Sequence, residues 1–180
     1  MRRATQDYPV SRRSLIKAAG ATLIVAAVTP AGVILGYDNA WSAAAEALQP
    51  ESFATLVQMS RDIYPHDQLA DDFYAAAVSG LDSSAKSDAA AKTMLEEGVA
   101  ALNKAAMGLK GENYRSLGNE MDRLALLKET QGSAFFQKVR GNLITGIYNN
   151  KEVWPILGYE GESASKGGYI NRGFNDLDWL

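Results

Sequence analysis

The chain has 180 residues, 18 of them basic and 21 acidic, with a single histidine and no cysteine. Without thiolates it has no usual ligands for an iron–sulfur cluster and no attachment point for a c-type haem, and one imidazole excludes the common multi-histidine metal sites. No Gly-x-Gly-x-x-Gly or Walker run offers a phosphate cradle, and the acidic balance argues against a nucleic-acid partner, which would want a basic face.

The polar stretch Met1 to Val10 leads into Ser11-Arg12-Arg13-Ser14-Leu15-Ile16-Lys17. An apolar run from Ala18 to Tyr37 follows, then an alanine-rich segment from Ala40 to Ala47. A basic start, an apolar middle and a small-residue end make an export leader. Ser11, Arg12, Arg13, Leu15 and Lys17 resemble the twin-arginine motif, with Leu15 where phenylalanine is usual. The resemblance implies delivery of an already folded protein by the twin-arginine translocase to the periplasm, or to the periplasmic face of the inner membrane. The apolar run, at about 20 residues, is also long enough to span a bilayer. Gly20, Pro30, Gly32 and Gly36 do not exclude a span. A plain anchor therefore stays open, as does an uncleaved leader tethering the protein by one helix. Ala43 with Ala45, or Ala45 with Ala47, satisfies a small-x-small cleavage site. Residues 1–45 are read as the leader, 46–150 as a helical domain and 151–180 as a C-terminal arm. Beyond residue 45 the chain holds 13 basic and 19 acidic side chains, a net of −6.

The first element after the leader opens at Gln49-Pro50-Glu51. Proline suits a first helical turn, and Glu51 suits the positive end of the helix dipole. Phe53, Leu56, Val57, Ser60, Ile63 and Tyr64 recur at helical spacing, which predicts a helix over 51–64 with one buried stripe. Pro65 ends it. A second helix is expected over 67–79, capped by Asp67, lined by Leu69, Phe73, Ala76 and Ala77, and stopped by Gly80. The third and longest is expected over 85–107, capped by Asp82 or Ser84. Its face runs through Ala91, Leu95, Gly98, Val99, Leu102, Ala105, Ala106 and Leu109. After a loop over 107–113, Tyr114 and Leu117 return toward the core. Asn119 caps a helix over 119–130, carried by Met121, Leu124, Leu127 and Ala125. Ser133 caps the last one, through Phe135, Phe136, Val139, Leu143, Ile144, Ile147 and Tyr148. Gly141 and Gly146 each cost that helix about 1 kcal/mol relative to alanine, so each marks close contact or mere tolerance.

After Asn150 no period survives. Trp154, Tyr159, Tyr169, Phe174 and Trp179 alternate with Gly158, Gly161, Gly167, Gly168 and Gly173. Disordered segments are usually aromatic-poor, so this arm is expected to pack, on its own core or on a partner chain. The fold class is thus all-α: about five helices with an irregular aromatic and glycine-rich C-terminal arm.

Chemistry is sparse. Tyr64-Pro65-His66-Asp67 is the one tempting place, with His66 as a general base and Asp67 to orient it. Adjacent side chains seldom face each other, and a polar turn between helices or a partner contact explains the same residues. Asp71 and Asp72 cannot both face one ligand from adjacent helical positions. Glu96, Glu97 and Glu120 read as solvated faces. No Gly-x-Ser-x-Gly is present, so no self-contained catalytic site and no cofactor site is visible on this chain.

The leader, the small helical domain and the Ile63-Tyr64-Pro65-His66-Asp67 turn together resemble the gluconate 2-dehydrogenase subunit 3 family. Phe135-Phe136-Gln137-Lys138-Val139-Arg140-Gly141 fits the family's style, as does the stretch from Gly146-Ile147-Tyr148 to Trp154-Pro155-Ile156-Leu157-Gly158-Tyr159. The resemblance covers 53–159 and rests on soft motifs; in detail it is most similar to the small subunits of glucoside 3-dehydrogenases. It implies a non-catalytic small subunit beside a large FAD-binding dehydrogenase subunit, with a cytochrome c subunit often taking the electrons. In that family the small subunit supplies the leader, supports the large one and crosses the membrane with it. The substrate would be a sugar, sugar acid or polyol. Tyr64, Pro65, His66, Asp67, Phe135, Phe136, Trp154, Tyr159 and Trp179 are then the expected interface or family-motif residues. Two rival readings remain: an exported envelope protein with no flavoprotein partner, and a lone hydrolase using His66.

Overall fold

A computed structural model of the chain describes residues 45–171. The export motif from Ser11 to Lys17 and the aromatics Phe174 and Trp179 lie outside them. Six α-helices follow one another: α1 Pro50–Ile63, α2 Asp71–Ser87, α3 Ala89–Lys110, α4 Glu120–Thr130, α5 Ala134–Tyr148 and the single turn α6 Val153–Ile156. Short 3-10 turns lie at Tyr114–Ser116 and Ser163–Lys166. There is no strand among the described residues, and none of their helices is long and apolar enough to cross a membrane.

α1 begins with Pro50 in its first turn and ends at Tyr64, whose backbone is forced out of the helical region before Pro65. One buried stripe was expected, but burial wraps most of the helix, from Ser52 to Asp62. The cause is that α2, α3, α4 and α5 all pack on it. Its hydroxyls survive burial by bonding back one turn: Thr55 Oγ1 donates to the Glu51 carbonyl at 2.8 Å and Ser60 Oγ to that of Leu56 at 2.6 Å.

α2 is the hub, packed on α1, α3 and, most extensively, α5. It starts four residues later than expected, and neither Asp67 nor any other side chain caps it. It also runs straight through Gly80 to Ser87. Gly80 is no stop signal because α5 crosses there. A Cβ on Gly80 would meet Asn142 Oδ1 at 3.1 Å, and one on Gly146 would meet the Ala77 Cβ at 2.7 Å. The Asn142 amide donates to the Ala77 carbonyl at 2.7 Å across the same crossing. Gly146 therefore marks close contact, whereas Gly141 faces open space. Gly98 makes the matching approach in α3, where an added Cβ would fall 2.2 Å from the Phe135 ring.

α3 is capped by Asp88, which accepts from the Ala90 and Ala91 N–H groups at 2.9 and 3.2 Å. Asp82 and Ser84 do not cap it. Gly111, with φ +75°, closes it in the left-handed region. Asn119 and Ser133 cap α4 and α5 as expected. In α4 the inner residues are Leu126 and Leu127, while Met121 is exposed. In α5 Phe135, Val139, Leu143 and Ile147 repeat every fourth residue and form the buried face.

Candidate functional site

The turn after α1 is held by three tyrosines. Tyr74, fully buried in α2, donates its hydroxyl to the Tyr64 carbonyl at 2.6 Å and accepts the His66 backbone N–H at 3.1 Å. The His66 ring reaches the far end of α5, where Nε2 lies 2.8 Å from the Tyr148 hydroxyl. Tyr64 and His66 both meet the Tyr148 ring edge-on, at 5.8 and 5.7 Å between centroids. Burial, then the nearby Tyr64 and Tyr74 phenols, hold the Tyr148 hydroxyl above its ordinary pKa, so it stays protonated at neutral pH. Arg61 steadies the other side. It pairs with Asp71 at 2.5 Å, donates to the Leu69 carbonyl at 3.2 Å and stacks over the Tyr74 ring.

Asp67 points to solvent and makes no hydrogen bond with His66. Pro65 is exposed as well. The structure thus gives His66 a phenol rather than a carboxylate as its partner, and a phenol above its ordinary pKa is a poor orienting base. The arrangement is a clamp joining the α1–α2 turn to the end of α5.

Phe135 and Phe136 face different ways. Phe135 is buried against Gly98 in α3. Phe136 is half-buried and lines a cleft of about 590 Å³ between α1, α4 and α5, with Ile63, Tyr64, Leu124 and Leu127 beside it and Lys128 and Arg140 among its polar lining. Sequence reasoning had grouped these two phenylalanines as one motif; the structure separates a core residue from a cleft residue.

Trp154 and Tyr159 do come together, edge to face at 5.2 Å. Trp154 Nε1 donates to the Tyr148 carbonyl at 2.6 Å, which fastens the segment after α5 to the end of that helix. A Cβ on Gly161, whose φ is +97°, would lie 3.3 Å from the Trp154 ring. Beyond this anchor the apolar side chains turn outward. Tyr159 is 50% exposed, Tyr169 61% and Ile170 82%.

Two carboxylates carry the most connections, of which the sequence marks Asp82 only as a candidate cap and Asp62 not at all. Asp62, in α1, takes Arg123 in a two-point pair (Nε to Oδ2 2.9 Å, the second nitrogen to Oδ1 3.1 Å), and the Tyr114 hydroxyl at 2.6 Å. Burial, then the Asp62 charge, pushes the Tyr114 phenol far above its ordinary pKa. The hydrogen bond to Asp62, ahead of its charge, raises that of the Arg123 guanidinium. Asp82, in α2, accepts from three successive backbone N–H groups, Glu46 at 2.9 Å, Ala47 at 3.1 Å and Leu48 at 2.8 Å. Glu96, read as a solvated residue, is half-buried and accepts from the Gln49 N–H at 2.7 Å and Ser52 Oγ at 2.5 Å. The one available signal was position. Asp62 follows Met59 by three and Asp82 follows Val78 by four, so both sit on apolar faces of their helices.

Among the described residues, no group of three or more His, Asp or Glu side chains is placed to hold a metal ion. No family model matches the chain, and neither a curated protein nor a solved structure matches it.

Proposed function

We propose that this chain is the non-catalytic small subunit of an exported FAD-dependent sugar or glycoside dehydrogenase. It supplies the twin-arginine leader and supports the folding, stability and translocation of a large catalytic subunit that holds the FAD. A cytochrome c subunit is a further candidate partner, as electron acceptor. The chain itself carries no cofactor in this reading, and the complex works in the periplasm or at the periplasmic face of the inner membrane.

The observation that carries the reading is the character of the segment after α5. It is fastened to the domain through Val153, fully buried, and Trp154, and then turns Tyr159, Tyr169 and Ile170 toward solvent. Residues 151–180 are in this reading an arm, docked at its start on its own core and offering its remaining aromatics to a partner. Exposed large side chains gathered in one segment favour a protein interface over a monomer surface. The leader motif and the family resemblance of the Tyr64–Asp67 turn support the same reading. The lone-hydrolase alternative has less support, because His66 Nε2 is engaged with Tyr148 and Asp67 does not orient it.

Native purification through a C-terminal tag, with an absorption spectrum and intact masses, tests this directly. A second, larger chain with flavin absorption is expected. A colourless single species contradicts the reading. Tyr159→Ala should weaken retention of the flavoprotein by about 2 kcal/mol or more, while leaving the melting temperature of the small chain alone unchanged.

A further inference from the structure

We infer that the leader is removed between Ala45 and Glu46, and that the α-amino group so created on Glu46 is captured by Asp82. The inference rests on the export reading above and names the point at which the fold takes hold of the processed chain.

Asp82 is 6% exposed, near the middle of α2, and among the described residues no cation is bonded to it. Its carboxylate instead gathers the backbone N–H groups of residues 46, 47 and 48. A run of consecutive N–H groups closing on one anion is an anion-binding nest, here with the anion supplied by the protein. The chain on either side of these residues is fixed too. Leu48 is buried, Ala45 and Ala47 pack against the core, and the next N–H, of Gln49, goes to Glu96. The Glu46 side chain pairs with Lys86 one helical turn beyond Asp82. Among the described residues, the charged groups bonded to residues 46–49 are Asp82, Lys86 and Glu96, and the Glu46 carboxylate adds its own charge.

The sequence offers two small-x-small sites, ending at Ala45 or at Ala47. The fold distinguishes them. A twin-arginine cargo arrives folded, so a signal peptidase must draw the scissile bond out of a finished domain. The bond after Ala47 lies between two N–H groups already held by Asp82. Cutting there would discard the Glu46 and Ala47 donors and the Lys86 pair, and would leave an ammonium on Leu48, which is 4% exposed. The bond after Ala45 lies at the outer edge of the clamp, and Glu46 is exposed. Hydrolysis there consumes one water. The C–N bond breaks, Ala45 leaves with the leader as a carboxylate, and the Glu46 nitrogen takes a proton to become an amine, then an ammonium at neutral pH. The donor 2.9 Å from Asp82 Oδ2 is kept and gains a full charge opposite the carboxylate.

The test uses the full chain exported by its own leader. N-terminal sequencing and intact mass should give one species beginning at Glu46. A species beginning at Leu48, or at any other processed position, overturns the inference alone. A chain that keeps Met1 and stays in the cytoplasm overturns the export reading and this inference with it. The capture is read separately, from the pH dependence of acetic anhydride labelling of the mature protein. The Glu46 amine should titrate about one pH unit above the ordinary range of about 7.7–8.0 for such groups. Labelling with an ordinary pKa in the native protein overturns the capture. In Asp82→Asn the titration should return to the ordinary range, and a second species beginning at Leu48 should accumulate. Should that variant fail to fold, the native titration still decides.

Discussion

Asp62 and Asp82 are each 6% exposed on a central helix, yet they are held in opposite ways. Asp62 is held by side chains, from Arg123, Tyr114 and Gln58, and so ties α1 to α4 and to the 3-10 turn before it. Among the described residues Asp82 is held by main chain alone, and so ties α2 to the backbone of residues 46–48. A carboxylate surrounded by side chains stitches helices into a fold. A carboxylate surrounded by backbone N–H groups fixes a length of chain whatever its side chains are. The first kind of site can be redesigned in partnership; the second cannot, because its donors do not mutate.

The largest effect should come from breaking the side-chain site. In Arg123→Ala the buried Asp62 carboxylate loses its cation. The variant should lose about 3–5 kcal/mol in urea denaturation. Replacing Asp62, Tyr114 and Arg123 together by Leu, Phe and Met should restore most of that loss, since apolar groups of similar volume substitute well for a buried pair. Asp82→Ala should cost about 2–3 kcal/mol, and no second side-chain exchange should recover it. Its distinguishing mark is local: the amides of 46, 47 and 48 should lose hydrogen-exchange protection while those of α4 keep theirs. Smaller still is Tyr114→Phe, at about 1.5–3 kcal/mol for a lost bond to a charged acceptor. This variant also changes the pH profile. The Tyr114 phenol is raised in the folded state, so its contribution is complete below the ordinary tyrosine pKa of about 10 and is lost as pH rises above it. The parent protein should therefore weaken more steeply than Tyr114→Phe as pH rises above about 10. An equal slope in the two proteins would remove the Tyr114–Asp62 link from the account.

Much of the fold was legible because it is written in local chemistry. Pro50 and Pro65 bound α1, and Asn119 and Ser133 cap α4 and α5 where the sequence places them. The misplaced end of α2 and the misplaced start of α3 share one cause. Gly80 has the composition of a stop, but the close passage of Asn142 in α5 is what requires a small residue there. A contact between residues so far apart in sequence leaves no trace in helical period. The same holds for the candidate site. The Tyr64–Asp67 turn announces itself through proline, yet the partner of His66 is Tyr148, 82 residues away. Asp62 goes unmarked and Glu96 reads as solvated because charges on helices usually are, while Asp82 reads as a cap. Only the elements packed against them show that these three are not.

In the proposed function this chain carries a flavoprotein out of the cytoplasm. Replacing Arg12 and Arg13 by lysine keeps the charge and removes the arginine pair that, on this proposal, the translocase reads. Cell fractionation should then find the small chain, its large partner and their FAD-dependent sugar dehydrogenase activity together in the cytoplasm. Unchanged activity in the periplasmic fraction would contradict the claim.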